Sequence, residues 1–249
     1  MAAGGVTRVQ LCGPLVVEGG GERLESRLPG RQGRMLFGYL ALNRHRLAPR
    51  DELVSAVWPN NPPPAADASL NALLSKMRRA LGADAVEGRS SLRLRLDGAL
   101  VDVEAATEAI HRAESSVAQA DWRRAWGPSL VALFVAEREF LLDEDADWID
   151  VERRRLTELR LRALECYATA GLGIGGTELA CAVRAGRRLV ELAPLRESGY
   201  RSLMLALAAQ GNQAEALRLY SGLCDTLRDE LGVSPSADTR SVYEQLVVT

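Results

Sequence analysis

Leu70-Asn71-Ala72-Leu73-Leu74-Ser75-Lys76-Met77-Arg78-Arg79-Ala80-Leu81 decides how the first part of this chain folds. Leu70, Leu73, Leu74, Met77 and Leu81 recur at i, i+3, i+4, i+7 and i+11, which is the stripe of a helix with one buried face. Asn71, Ser75, Arg78 and Arg79 lie mostly on the opposite side, with Lys76 at its edge. The spacing predicts a helix over about residues 66–81, and Gly82 offers a natural stop.

Working outward, the segment upstream closes with Trp58-Pro59-Asn60-Asn61-Pro62-Pro63-Pro64, and consecutive prolines cannot continue a helix. A short helix over Arg50–Val57 is expected before it, burying Leu53, Val54 and Val57. An earlier one is expected after Pro29-Gly30, where Met35, Leu36, Tyr39, Leu40 and Ala41 keep helical spacing. Earlier still, Val9-Gln10-Leu11 and Leu15-Val16-Val17 flank Cys12-Gly13-Pro14 and read as a small antiparallel sheet. Downstream, Ala85-Val86 and Leu92-Arg93-Leu94-Arg95-Leu96 read as two strands joined by residues 87–91. Alternation of Leu and Arg implies one buried face and one basic face. Strands, three helices and a basic hairpin form the order of a winged helix-turn-helix, an α+β domain expected over residues 1–98.

Residues 99–249 read as all-α. Amphipathic stripes run through Val103, Ala106, Ile110, Ala113 and Val117, and through Leu156, Leu159, Ala163, Cys166 and Ala170. Others precede Pro194, Gly211 and Gly232. Gly175-Gly176 and Gly211-Asn212 punctuate helix pairs at about 35 residues, close to the tetratricopeptide period of ~34. Asn212 with Glu215 is expected to form a capping box. Stacked helix pairs of this kind commonly bind proteins.

The chain has 249 residues, 47% hydrophobic and 26% charged, a globular composition. Its net charge of −2 is unevenly placed: residues 1–98 carry about +5 and the remainder about −7. A basic module joined to an acidic one suggests polyanion binding beside protein interaction. Lys76 is the single lysine among 31 Lys and Arg residues. No run approaches the ~20 apolar residues that span a bilayer, and the start lacks an apolar leader core, so a cytoplasmic protein with no membrane partner is expected. Four dispersed cysteines and two histidines argue against a zinc or disulfide scaffold.

Against this background the chain resembles the Streptomyces antibiotic regulatory protein family over nearly its whole length and in the right order. Leu11-Cys12-Gly13-Pro14-Leu15-Val16-Val17 resembles the family's opening "LGPLEV" strand, and Arg50 through Trp58 its "RDELIDALW" helix. Leu70–Leu81 is similar to its recognition helix, "LQVYVSRLRRAL". Trp148 with Glu152-Arg153-Arg154-Arg155-Leu156 is similar to "W…ER.RL". Glu215-Ala216-Leu217 through Leu227-Arg228-Asp229-Glu230-Leu231-Gly232-Val233-Ser234-Pro235 is similar to "EAL..Y…L..ELG..PS". The resemblance implies an OmpR-type winged helix followed by a tetratricopeptide-like bacterial transcriptional activator domain. It further implies an activator of a secondary-metabolite gene cluster. Such a protein binds tandem direct repeats of double-stranded DNA, with a second protomer on the adjacent repeat, and contacts RNA polymerase. The chain departs from the pattern at Pro49, where a Ser or Thr cap is usual, and at Leu73 and Leu92.

On this reading the DNA-binding residues of the helix are Asn71, Ser75, Lys76, Arg78 and Arg79, with Asn71 placed where base edges are reached and Arg78 and Arg79 better placed for phosphates. Arg89, Arg93 and Arg95 of the hairpin reach the adjacent backbone or minor groove. The loop Asn60, Asn61, Pro62, Pro63 and Pro64 stands where the OmpR-type fold touches polymerase. The alternative is an interaction scaffold whose winged module no longer reads DNA.

Catalysis finds no support in the residues, so no enzyme, cofactor or metal site is expected. Gly171, Gly173 and Gly176 satisfy G-x-G-x-x-G but follow a helix expected to end at Ala170, which makes a turn of them and not a dinucleotide site. His45 and His111 have no nucleophile beside them in sequence. The run Asp143-Glu144-Asp145-Ala146-Asp147 lacks the features of a calcium loop and reads as a solvated connection.

Overall fold

The computed structural model describes residues 6–248; residues 1–5, part of the start read above for a leader, lie outside them. Two compact units emerge. The first contains the chain up to Ala105 together with Val135–Leu156, and the second Ala106–Phe134 together with Thr157 onward. Compactness therefore groups residues 135–156 with the N-terminal unit, a division different from a cut after residue 98.

In the first unit, β1 (Val6–Gln10), β2 (Val16–Gly19) and β3 (Glu22–Arg23) form antiparallel pairs. The first helix, α1 (Gly30–Leu42), buries Met35, Leu36, Phe37, Leu40 and Ala41. Strand β4 (Ala48–Pro49) leads directly into α2 (Arg50–Val57), and α3 (Ala66–Leu81) follows the proline loop. A hairpin of β5 (Val86–Gly88) and β6 (Ser91–Leu94) comes next, with β4 antiparallel to β6 on its other edge. The expected small sheet gains a fourth strand, β7 (Leu100–Val101), which runs parallel to β1. Asp102 locks this closure: its carboxylate accepts the N–H of Leu11 at 2.9 Å and of Cys12 at 3.0 Å.

The same unit takes in Phe140, bridged to Cys12, and Trp148, whose Nε1 donates to the Ala56 carbonyl at 3.1 Å. Trp148 meets Tyr39 edge to face at 5.1 Å. Glu144, only 3% exposed, accepts from Arg31 at 3.0 Å and Arg34 at 2.8 Å. The acidic run is thus no solvated connection at Glu144, because two α1 guanidinium groups draw that carboxylate inward.

Seven helices account for most of the rest: α4 (Asp102–Ala118), α5 (Trp122–Ala136), α6 (Asp147–Ile174), α7 (Leu179–Leu192), α8 (Glu197–Ala209), α9 (Gln213–Leu231) and α10 (Ala237–Val248). In the second unit Ala182, Val183, Leu203, Met204, Ala206, Leu207, Ala216 and Leu246 of α7 to α10 share one core. The starts of α7 and α9 are about 34 residues apart, as the glycine spacing led one to expect. Two expectations fail here. Gly171 and Gly173 lie inside α6, which continues to Ile174, since their missing side chains admit the rings of Trp126 and Trp122. Asn212 makes no side-chain cap, and Glu215 pairs instead with Arg187 at 2.7 Å.

Candidate nucleic-acid interface

The helix α3 takes the orientation that its stripe dictates. Leu70, Leu74, Met77 and Leu81 are buried, while Asn71, Ser75, Lys76 and Arg79 are exposed. Leu73 and Arg78 are half-buried between these faces. Arg78 turns back, its Nε donating to the Val86 carbonyl at 3.1 Å, so it braces helix against hairpin. Gly82 ends the helix with φ of +113°, a conformation side chains rarely adopt.

Arg50 organises the start of α3. Because β4 pairs with β6, the first residue of α2 is delivered beside the hairpin turn. Its guanidinium donates from Nε to Asp67 Oδ1 at 3.2 Å, from Nη2 to Asn71 Oδ1 at 2.8 Å and from Nη1 to the Arg89 carbonyl at 3.3 Å. Pro49 supplies no side-chain cap to α2, but Asp51 and Glu52 in the first turn oppose the positive helix end.

In the hairpin, Leu92, Leu94 and Leu96 are buried. Opposite them, Arg93 pairs with Glu87, and Arg95 with Asp97 at 2.9 Å. Most other arginines of this unit are paired too: Arg8 with Glu18, Arg23 with Glu25, Arg27 with Glu22 and Arg44 with Glu104. Lys76, Arg79 and Arg89 are different. Among the described residues they have no carboxylate partner, and all three are exposed.

Lys76 and Arg79 share a cleft of about 690 Å³ with Leu73 and Ala80 of α3 and with Pro29, Gly30 and Gln32 at the start of α1. That end of α1 carries neither a side-chain cap nor an acidic residue in its first turn. Elsewhere, Asn60, Asn61, Pro62 and Pro64 are exposed and Pro63 half-buried, in a loop without regular structure. The structure therefore draws Asn71, Ser75, Lys76, Arg79 and Arg89 to the open side, and engages Arg78, Arg93 and Arg95 in internal contacts. Arg50 and the α1 terminus escaped sequence reading because their roles depend on neighbours 17 or more residues away. His45 is exposed and lies 2.9 Å from Glu104.

The description "Bacterial transcriptional activator domain" fits residues 101–247 as a family. Known relatives define a class, the transcriptional regulators. "Regulatory protein AfsR" of Streptomyces griseus is 31% identical over 244 residues, 96% of this chain but 24% of that one, so the chain spans about a quarter of its length. "Regulatory protein DnrI" of Streptomyces peucetius is 29% identical over 92% of this chain and 88% of its own. "Transcriptional regulatory protein MoaR1" of Mycobacterium tuberculosis is 28% identical, covering 98% and 80%. The fold is shared with Mycobacterium tuberculosis EmbR, solved in complex with a low-affinity phosphopeptide. Its TM-score is 0.85 at 23% identity, over 98% of this chain and 65% of that one. The chain belongs to the bacterial transcriptional activator domain family, that of the Streptomyces antibiotic regulatory proteins. No helix among the described residues is long and apolar enough to cross a membrane.

Proposed function

We propose that this protein is a DNA-binding transcriptional activator, a pathway-specific regulator of a secondary-metabolite gene cluster that works in the cytoplasm. Residues 1–98 act as an OmpR-type winged helix-turn-helix, with α3 in the major groove and the β5–β6 hairpin as the wing. The observation that carries the reading is charge placement. In a unit where most arginines are neutralised by carboxylates, Lys76, Arg79 and Arg89 stay exposed without one. The uncapped end of α1 beside Lys76 and Arg79 offers backbone N–H groups to a phosphate. Tandem direct repeats are bound by two protomers, Asn60 to Pro64 contact RNA polymerase, and residues 99–249 form the activator domain.

The test is duplex binding across a salt series. Lys76→Ala and Arg79→Ala should each weaken binding to all sequences and flatten the slope of log affinity against log salt by about one. Arg93→Ala, which also releases Glu87, should change the slope less. Salt-insensitive binding, or none, would favour the scaffold reading instead.

A further inference from the structure

We infer that Arg50 sets the base preference of Asn71 by holding its carbonyl oxygen, so that Asn71 reads guanine and not adenine. The inference rests on the proposal that α3 enters the major groove. A guanidinium is donor-only, so the atom of Asn71 that meets Arg50 Nη2 at 2.8 Å must be Oδ1. A charge-assisted bond of that length is among the stronger hydrogen bonds. Arg50 is itself held by Asp67 Oδ1 and the Arg89 carbonyl, so its fork is fixed from α3 and from the hairpin turn together.

The consequence is chemical. A free asparagine recognises adenine with both ends of its amide, accepting from N6 and donating to N7. Here a cation occupies one lone pair of the oxygen and fixes how the amide points, and among the described residues Nδ2 is the part of the amide with no partner. Nδ2 only donates. Guanine presents two acceptors side by side in the major groove, N7 and O6, whereas adenine sets a donor beside its N7. Guanine therefore offers the oriented Nδ2 two acceptors, whereas adenine offers it one, N7, beside an N6 donor that Nδ2 cannot accept. Arg50 is a positioning residue, and Asn71 the contact it governs.

Duplexes selected from a randomised library by the purified full chain provide the probe, each position then being varied singly. Asn71→Ala identifies the position that Asn71 reads, as the one whose preference it flattens. There the natural chain should favour guanine over adenine by about tenfold. Arg50→Met should shrink that ratio at least about threefold, and a ratio between bases is insensitive to general weakening of the fold. Asn71→Asp keeps the bond to Arg50 but offers an acceptor outward. It should transfer the preference to adenine or cytosine, whose exocyclic amino groups donate. An adenine preference in the natural chain overturns the inference, as does an unchanged ratio in Arg50→Met or retained guanine preference in Asn71→Asp. If Asn71→Ala flattens no position although the chain selects duplexes, the base-reading role of α3 fails first and this inference with it.

Discussion

Glu52 sits where two helices meet, accepting from Arg46 and from the Tyr39 hydroxyl. The Arg46 guanidinium holds its carboxyl below the ordinary value of 4.5, against a smaller opposing effect of burial. A depressed carboxylate favours the folded state above its unfolded pKa, and that contribution disappears as pH falls through the folded value. Denaturant unfolding of the natural chain and Glu52→Gln should therefore diverge above pH 4.5 and converge below it; a constant difference across pH would remove this role from Glu52. At this scale the sequence was partly legible. The apolar stripe of α3 foretold which side Asn71, Ser75, Lys76 and Arg79 face, because a helical period is local. It could not foretell that Glu87 and Asp97 would neutralise Arg93 and Arg95, since ion pairing depends on side-chain reach across strands and turns. Glu144 was misread for the same reason, its partners lying 110 and 113 residues away.

At the scale of the element, two glycines make opposite cases. Gly173 lies in α6 with the Trp122 ring where a Cβ would stand. Gly222 lies in α9 with nothing within 4 Å of that position. Alanine gains up to about 1 kcal/mol in a helix interior over glycine, while overpacking costs about 1–3 kcal/mol. Gly222→Ala should raise stability by about 0.5–1 kcal/mol, and Gly173→Ala should lower it by about 1–2 kcal/mol. Thermal melts of the pair read the difference directly, and equal shifts would deny the Trp122 contact any energetic role. Helix ends were the most legible part of the chain: the run from Pro59 closes α2 and Gly82 closes α3, both through backbone rules. The end of α6 was not legible, because a glycine kept for a tryptophan ring looks in sequence like a glycine kept for a turn.

At the scale of the whole molecule the repeat spacing was legible, and the family match begins at residue 101, beside the expected change of module. Composition changes after residue 98, yet the N-terminal unit draws residues 135–156 back into itself. No local pattern announces that return; it is visible only once Phe140 meets Cys12 and Trp148 meets Tyr39. A fragment of residues 1–98 lacks these partners, and its Arg31 and Arg34 lose Glu144. It should melt well below the corresponding transition of a fragment extended to residue 156, and bind duplex DNA more weakly at matched temperature. Equal melting of the two would show that residues 135–156 add nothing to the unit. The return of Glu144 and Trp148 also has a consequence in time. At about 5–20 residues per second, the roughly 50 residues from β7 to Trp148 take the ribosome several seconds to make. During that interval the basic helix is already synthesised while the buried side of α1 waits for its cover. The nascent chain thus passes through a period in which the apolar side of α1 is made but not yet covered, and the length of that period is written in the spacing of its own residues.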